Sequence, residues 1–545
     1  MKTKLLSILF ASLLYTNGFS QCSESDEYKV LLIGDSWAFF MGVDGTFNTV
    51  FEKWGHSNYK YFTNPVVAEN GARTTDFLET SKQNEIASLL QSYPSIEVVH
   101  LSIGGNDVLG QWDVGFTPAE LQDLTDEVYY QVLEIFDFIK AARPGIKIVF
   151  SGYCYPNFEE VIESVDPLQN IHPFYGTWSG MGFPNFLQIN TILNDFSQEM
   201  EDYAATDPQV EFIKATGLMQ YTFGQNDPLG VAPGGTYPPF SLSLPYGDPN
   251  YPSPKNSMRD YAVTKDCFHL SPKGYRDLIS YQTQKFYHKF LMKDQYLLST
   301  EKEGGISNSN STSNQLLVGS NANEEFAAIL DFNTENMYYE GLEKAEIFLQ
   351  IQEISGVNPL NSALELSIKS GNIGSSAYPE NSDWTASVDL SETTCLFGNK
   401  NDVGNWIRIE LPTSFFSHIS SSTNTQILIK STNSAEGLVR FSASSDPEFA
   451  PVLNLKYDDG YVGIRSIEEI SLVQIYPNPA KNTLNIFSPE ASIQALEIYN
   501  ALGALCLKST LLEQNRIDIA NLANGFYQIV VQTDKGRVSK SFVKD

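Results

Sequence analysis

In the first half of the chain, apolar residues gather in short unbroken runs that stop at glycine. Val30-Leu31-Leu32-Ile33 stops at Gly34, Val98-Val99-His100-Leu101-Ser102-Ile103 at Gly104, and Ile146-Lys147-Ile148-Val149-Phe150 at Ser151-Gly152. Runs of this length without alternation predict strands buried on both faces, as in a parallel sheet. A further strand is expected at Pro65 to Ala68. Helical spacing lies between the runs. Thr117-Pro118-Ala119-Glu120 combines a capping box with proline at the first helical position, and apolar residues follow at Val128, Val132, Ile135, Phe136 and Ile139. Arg143-Pro144-Gly145 ends that helix, and a second opens at Ser271-Pro272 and runs to about Leu291. Strand and helix in alternation from Tyr28 to about Leu291 predict an α/β domain, a parallel sheet with helices on both faces.

The pattern changes near residue 300. Ser307-Asn308-Ser309-Asn310-Ser311-Thr312-Ser313-Asn314 reads as a polar linker over 296–314. Beyond it the segments alternate with period two, as in Ala345-Glu346-Ile347-Phe348-Leu349, Trp406-Ile407-Arg408-Ile409 and Thr425-Gln426-Ile427-Leu428-Ile429. They predict an antiparallel β-sandwich over 315–458. Trp384 and Trp406 fall in such segments, which predicts core packing rather than sugar stacking. A third, small all-β unit is expected over 471–545, with turns at Tyr476-Pro477-Asn478-Pro479 and Asn500 to Gly503.

Charge and cysteine usage narrow the function. The formal net charge of -30 on 545 residues argues against nucleic acid or an anionic membrane as partner, since both need clustered Lys and Arg. Lys2 and Lys4, the apolar stretch Leu5 to Leu14 and the small residues Gly18 and Ser20 predict a secretory signal over 1–20, and no later stretch reads as a transmembrane segment. The five cysteines lack a Cys-x-x-Cys spacing and do not suggest zinc. Cys154 and Cys267 are expected near the site, either joined by a disulfide or left as two buried thiols.

The candidate chemistry sits where the predicted strands end. Gly34-Asp35-Ser36-Trp37, Asn70-Gly71, Gly104-Gly105-Asn106-Asp107 and Asp266-Cys267-Phe268-His269 would meet at the carboxyl rim of the sheet, where ligand crevices form. A serine hydroxyl needs a base to become nucleophilic, a histidine supplies one near neutral pH, and an aspartate fixes its tautomer. Ser36, His269 and Asp266 fit these roles, with Asp266 and His269 expected on a loop. The backbone amides of Ser36 and Gly71 and the side chain of Asn106 could meet an oxyanion. Asp35 and Asp107 read as turn organisers rather than an acid/base pair. His56, His100, His172, His288 and His418 are scattered, and no His and carboxylate set has metal-ligand spacing.

These blocks, in this order, resemble the SGNH/GDSL hydrolase family over residues 28 to about 291. The resemblance implies a flavodoxin-like three-layer α/β/α fold, ester hydrolysis without metal or cofactor, catalytic Ser36, Asp266 and His269, and an oxyanion hole of Ser36, Gly71 and Asn106. Trp37 stands where the family name has leucine. A long insertion between Cys154 and Asp266, including Tyr237-Pro238-Pro239-Phe240, is expected to wall the substrate. The 315–458 unit resembles DNRLRE-type and related carbohydrate-binding sandwiches. Tyr476-Pro477-Asn478-Pro479 and Asn524-Gly525-Phe526-Tyr527 resemble a C-terminal sorting domain of type IX secretion, which implies that machinery as a partner. Together these features predict a hydrolase domain over 25–295 in a secreted serine esterase acting on an acylated polysaccharide, in the first place a carbohydrate O-acetyl esterase. The rivals are a lipase or general short-chain acyl esterase and a non-catalytic surface glycan-binding protein.

Overall fold

The computed structural model describes residues 24–224, 247–458, 474–487, 493–500, 505–509, 516–533 and 536–545. The expected signal over 1–20, the Tyr237-Pro238-Pro239-Phe240 segment and most of the Asn500 to Gly503 turn lie outside the described residues.

The first unit is built on five strands, β1 (Glu27–Gly34), β2 (Tyr59–Phe62), β3 (Val98–Ser102), β4 (Lys147–Phe150) and β5 (Val210–Phe212), in the order β2-β1-β3-β4-β5. All four pairings are parallel. Each central strand sends alternate side chains to opposite faces. Leu31, Ile33, Val99, Leu101, Ile148 and Phe150 enter one apolar core, while Val30, Leu32, Val98 and Val149 enter the other. Burial on both faces is why these runs read as unbroken apolar sequence. The helices that position the site are α1 (Ser36–Val43), α2 (Thr46–Lys53), α3 (Gly105–Gln111), α4 (Pro118–Ala142), α5 (Phe186–Ala204) and α6 (Pro272–Gln282). α4 begins at the expected capping box, with Thr117 Oγ1 accepting from the Glu120 amide. α6 continues through a π-helical turn at Thr283–Tyr287 into His288–Leu291.

Strand β2 lies at 59–62 and not at 65–68, where only Ala68 makes a single bridge, to Gly34. The larger correction concerns the expected linker. Gln295–Leu298 pairs with Val452–Tyr457 of the sandwich, and Gly304–Ser307 pairs with Glu325–Phe332. Residues 296–314 therefore supply strands to the sandwich, joined by short turns, rather than a tether. In the sandwich itself the long strand Leu342–Gly356 pairs with Trp406–Glu410 and Val452–Tyr457 along its first part. It shifts register at Ile351/Glu353 to pair with Gly437–Phe441. Phe348, Trp406 and Val452 join a core that belongs mainly to the first unit. Trp406 stacks on Trp54 at 5.7 Å, and His288 bonds His56 at 3.1 Å beside them. Trp384 is not in a strand. It lies half-buried in a 3-10 turn, Asn381–Thr385, under the Lys430 ammonium.

The C-terminal unit is antiparallel, with Ile493–Asn500 between Leu505–Ser509 and Gly525–Thr533, and Gly536–Lys544 at the edge. Its own small core includes Leu484, Ile498, Ile529 and Phe542. No helix among the described residues is long and apolar enough to cross a membrane.

Candidate active site

The first turn after β1 places Ser36. Gly34 has φ +140, and a Cβ there would lie 2.0 Å from the Ser102 carbonyl oxygen. Only glycine lets β1 end this close to β3. The Ser102 carbonyl accepts the Asp35 amide at 2.8 Å. Asp35 caps α1, its Oδ1 accepting from the Trp37 amide at 2.9 Å. Ser36 is the first residue of α1, so its amide has no intrahelical acceptor and points out of the helix N-terminus.

Asp266 and His269 come from a hairpin of β6 (Met258–Tyr261) and β7 (Thr264–Leu270), not from a loop. Met258 pairs with Leu270 and Asp260 with Lys265, so Arg259 alone faces residues 266–269. This bulge frees the two side chains from the alternation of a strand and lets residues three apart turn toward each other. Asp266 Oδ1 accepts the amides of Phe268 and His269 at 2.9 and 2.8 Å, while its Oδ2 meets His269 Nδ1 at 2.8 Å. Asn157 donates its amide to the Cys267 carbonyl at 2.6 Å and holds the bulge from outside.

The two halves meet at 2.6 Å, between His269 Nε2 and Ser36 Oγ. Asp266 accepts the Nδ1 proton, which leaves the Nε2 lone pair facing the serine hydroxyl. All three residues are buried. The imidazole lies between the Phe40 and Phe268 rings, at 4.8 and 4.3 Å. The Arg259 guanidinium lies over the Phe40 ring and pairs with Asp44. The chain can deprotonate the serine and hold the resulting imidazolium beside a carboxylate.

Asn106, at the start of α3, donates Nδ2 to the Ala72 carbonyl at 2.9 Å, which ties it to the residue after Gly71. A carboxamide nitrogen carries two protons, so one remains to donate. Gly71 has φ +79. Asn106 and Ser36 line one cavity. Asp107 accepts from the Thr74 amide and hydroxyl, so it and Asp35 both organise turns.

Sequence reading missed Tyr153. Its hydroxyl donates to Asp35 Oδ2 at 2.5 Å and accepts the Gly105 amide at 3.0 Å. It thus couples the serine turn to the Asn106 turn. The signal was its place just past the carboxyl end of β4. Burial pushes the Asp35 carboxyl up to about 6, with the hydrogen bonds from Tyr153 and Trp37 acting in the opposite direction.

Cys154 and Cys267 form no disulfide. Both are free and buried, in the two separate cores, and Cys154 Sγ contacts the Ala215 carbonyl at 3.3 Å. Cys395 is disulfide-bonded. Among the described residues one carboxylate trio, Glu24, Glu346 and Glu410, is close enough to hold a cation. Arg408 and Lys344 already occupy it as ion pairs.

The GDSL-like Lipase/Acylhydrolase family matches residues 32–276, and the secretion system C-terminal sorting domain matches 474–545. No curated protein matches the chain. Among solved structures it is similar to a GDSL-like lipase from Bacteroides thetaiotaomicron, at 14% identity and TM-score 0.25 over 48% of this chain and 88% of that one. A family 3 carbohydrate esterase from Clostridium thermocellum matches at 14% and 0.26, over 49% and 99%. A lipase from a goat rumen metagenome matches at 11% and 0.28, over 48% and 98%. TM-scores this low say nothing about activity. The sequence blocks, the sheet order and the family matches agree that residues 32–276 are a GDSL-like lipase/acylhydrolase domain of an ester-hydrolysing enzyme, and that residues 474–545 are a type IX secretion sorting domain.

Proposed function

We propose that Ser36 is the nucleophile of this esterase and that the reaction passes through an acyl-enzyme. His269 Nε2 takes the hydroxyl proton as Ser36 Oγ attacks the ester carbonyl. The oxyanion is met by the Ser36 and Gly71 amides and by Asn106 Nδ2. On collapse His269 returns the proton to the leaving alcohol, and water repeats the sequence to release the acid. The observation that carries this reading is the unbroken Ser36–His269–Asp266 hydrogen-bond chain. Ser36→Ala should lower kcat on a small aryl ester by roughly 10³-fold or more. Turnover close to wild type would overturn the reading and favour a non-catalytic surface protein.

The sorting domain indicates secretion or attachment at the cell surface. Export through an N-terminal signal, with the sorting domain acting at the outer membrane, is the fuller form of that route. On the alcohol side, a polysaccharide is the proposed partner, and its support is the sandwich alone. The lack of a tether at 296–314 and the burial of Trp406 weaken the picture of a separate glycan-gripping module. Acetate release from acetylated xylan, set against acid release from simple alkyl esters, tests the alcohol.

A further inference from the structure

Beside Ser36 a cavity runs between α3, α4 and α5. Its walls are Val108 and Leu109 of α3, Val128 of α4, and Ile189, Ile192 and Phe196 of α5. Most of the polar side chains that line it are already bonded. The Asp35 carboxylate and Tyr153 hydroxyl bond each other. Thr125 Oγ1 turns back to the Leu121 carbonyl of its own helix at 3.1 Å. Ser36 and Asn106, at the reactive end, keep donors for a ligand, and the Trp37 indole nitrogen is the one other side-chain donor on the described wall without a partner. A sugar placed here would find too few partners to replace the water its hydroxyls lose, at a cost that an alkyl chain does not incur.

The chemistry of the site decides which half of an ester enters. His269 must hand its proton to the departing alcohol, so the alcohol leaves on the imidazole side. The acyl group stays on Ser36 and turns away from it. The cavity touches Ser36 and Asn106, and neither His269 nor Gly71 lines it. Resting on the serine reading above, we propose that this cavity is the acyl site and that the substrate is an ester of an aliphatic acid longer than acetate. The enzyme is thereby a hydrolase of aliphatic acyl esters, where the domain architecture alone pointed to O-acetyl groups. No new bond is required beyond those of the acyl-enzyme route.

The test uses the full-length protein with p-nitrophenyl acetate, butyrate, octanoate and palmitate. The octanoate ester should exceed the acetate in kcat/KM by about tenfold or more, because each buried methylene adds to transition-state binding. Ile192→Trp, which fills the cavity, should lower the octanoate-to-acetate ratio by about tenfold or more. Leu193→Phe, at a half-buried position on the same wall, gives a second variant should the first fail to fold. Octanoate as free acid should inhibit competitively, and acetate should not at the same concentration. Acetate as the best ester, or a ratio unmoved by a folded variant, would overturn the acyl site while leaving the serine mechanism standing. Retained turnover in Ser36→Ala would instead remove the mechanism beneath it.

Discussion

At the scale of single residues, the donors and the buried acid beneath the nucleophile are the points where substitution should speak most clearly. Asn106→Ala removes a preorganised donor and should lower kcat by about 10²-fold, with a smaller effect on KM. Steady-state kinetics on an aryl ester checks this, and a loss under threefold would remove Asn106 from the oxyanion site. Asp35 gives a pH signature. With its carboxyl pushed up to about 6 from 3.8, the folded protein holds this proton more tightly than the unfolded chain does. The stabilisation is complete below the unfolded value and is lost as pH rises through the folded one, amounting to about 3 kcal/mol. Asp35→Asn cannot titrate and keeps a capping oxygen. Its stability relative to wild type should therefore rise as pH goes from about 4 to about 7, read by urea unfolding, and a constant difference would contradict the assignment. Ser36 and Asn106 stood out in the sequence because each lies in a short segment after a strand, and Asp266 and His269 because they stand three residues apart just ahead of the last helix. Tyr153 shares a place just past a strand end, but its partners Asp35 and Gly105 are distant in sequence, so that position alone did not mark a tyrosine that joins two turns.

At the scale of elements, glycine at the end of β1 carries the most specific demand. Gly34→Ala would set a methyl against the Ser102 carbonyl at a φ that side chains avoid. It should cost about 3 kcal/mol or more in denaturant unfolding, and a loss under half a kcal/mol, roughly the scatter of surface changes, would count against it. Buried strands and the long helix α4 were readable because burial on two faces and a capped, periodic stripe leave strong patterns. The edge strand β2 was misplaced. Tyr-Lys-Tyr-Phe at 59–62 is half-buried throughout, so it shows no apolar run, whereas Pro-Val-Val-Ala nearby does and forms almost no ladder. The hairpin carrying Asp266 and His269 looked like a loop because a bulge erases the alternation that would reveal a strand.

At the scale of the whole molecule, the first unit and the sandwich share a seam. His56 and His288 lie within it, buried and bonded to each other, and His100 is buried beneath the first sheet against Tyr287. Burial holds His100 and His288 down to about 3 and His56 well below its ordinary value. Histidines lowered in this way stabilise the fold fully above about pH 6.5, and the contribution is lost as pH falls below it. His100 and His288 together should remove on the order of 5 kcal/mol by about pH 4.5, and His56 acts in the same direction. The melting temperature should drop steeply over that range, less so in His288→Gln, and a flat acid limb would refute the assignment. The seam was not legible in advance because Ser/Asn-rich sequence suits a tether and a polar turn equally. Here Ser307 Oγ bonds Ser311 and Glu324, so the same side chains knit two strands together.

The strand at Gln295–Leu298 leaves the last helix of the hydrolase and enters the neighbouring sheet with no slack between them. Such a junction cannot be exchanged like a cassette. A chimera that takes the esterase half alone inherits an uncovered tryptophan and an unpaired sheet edge, so the two halves are bound to be inherited, engineered and expressed as one piece.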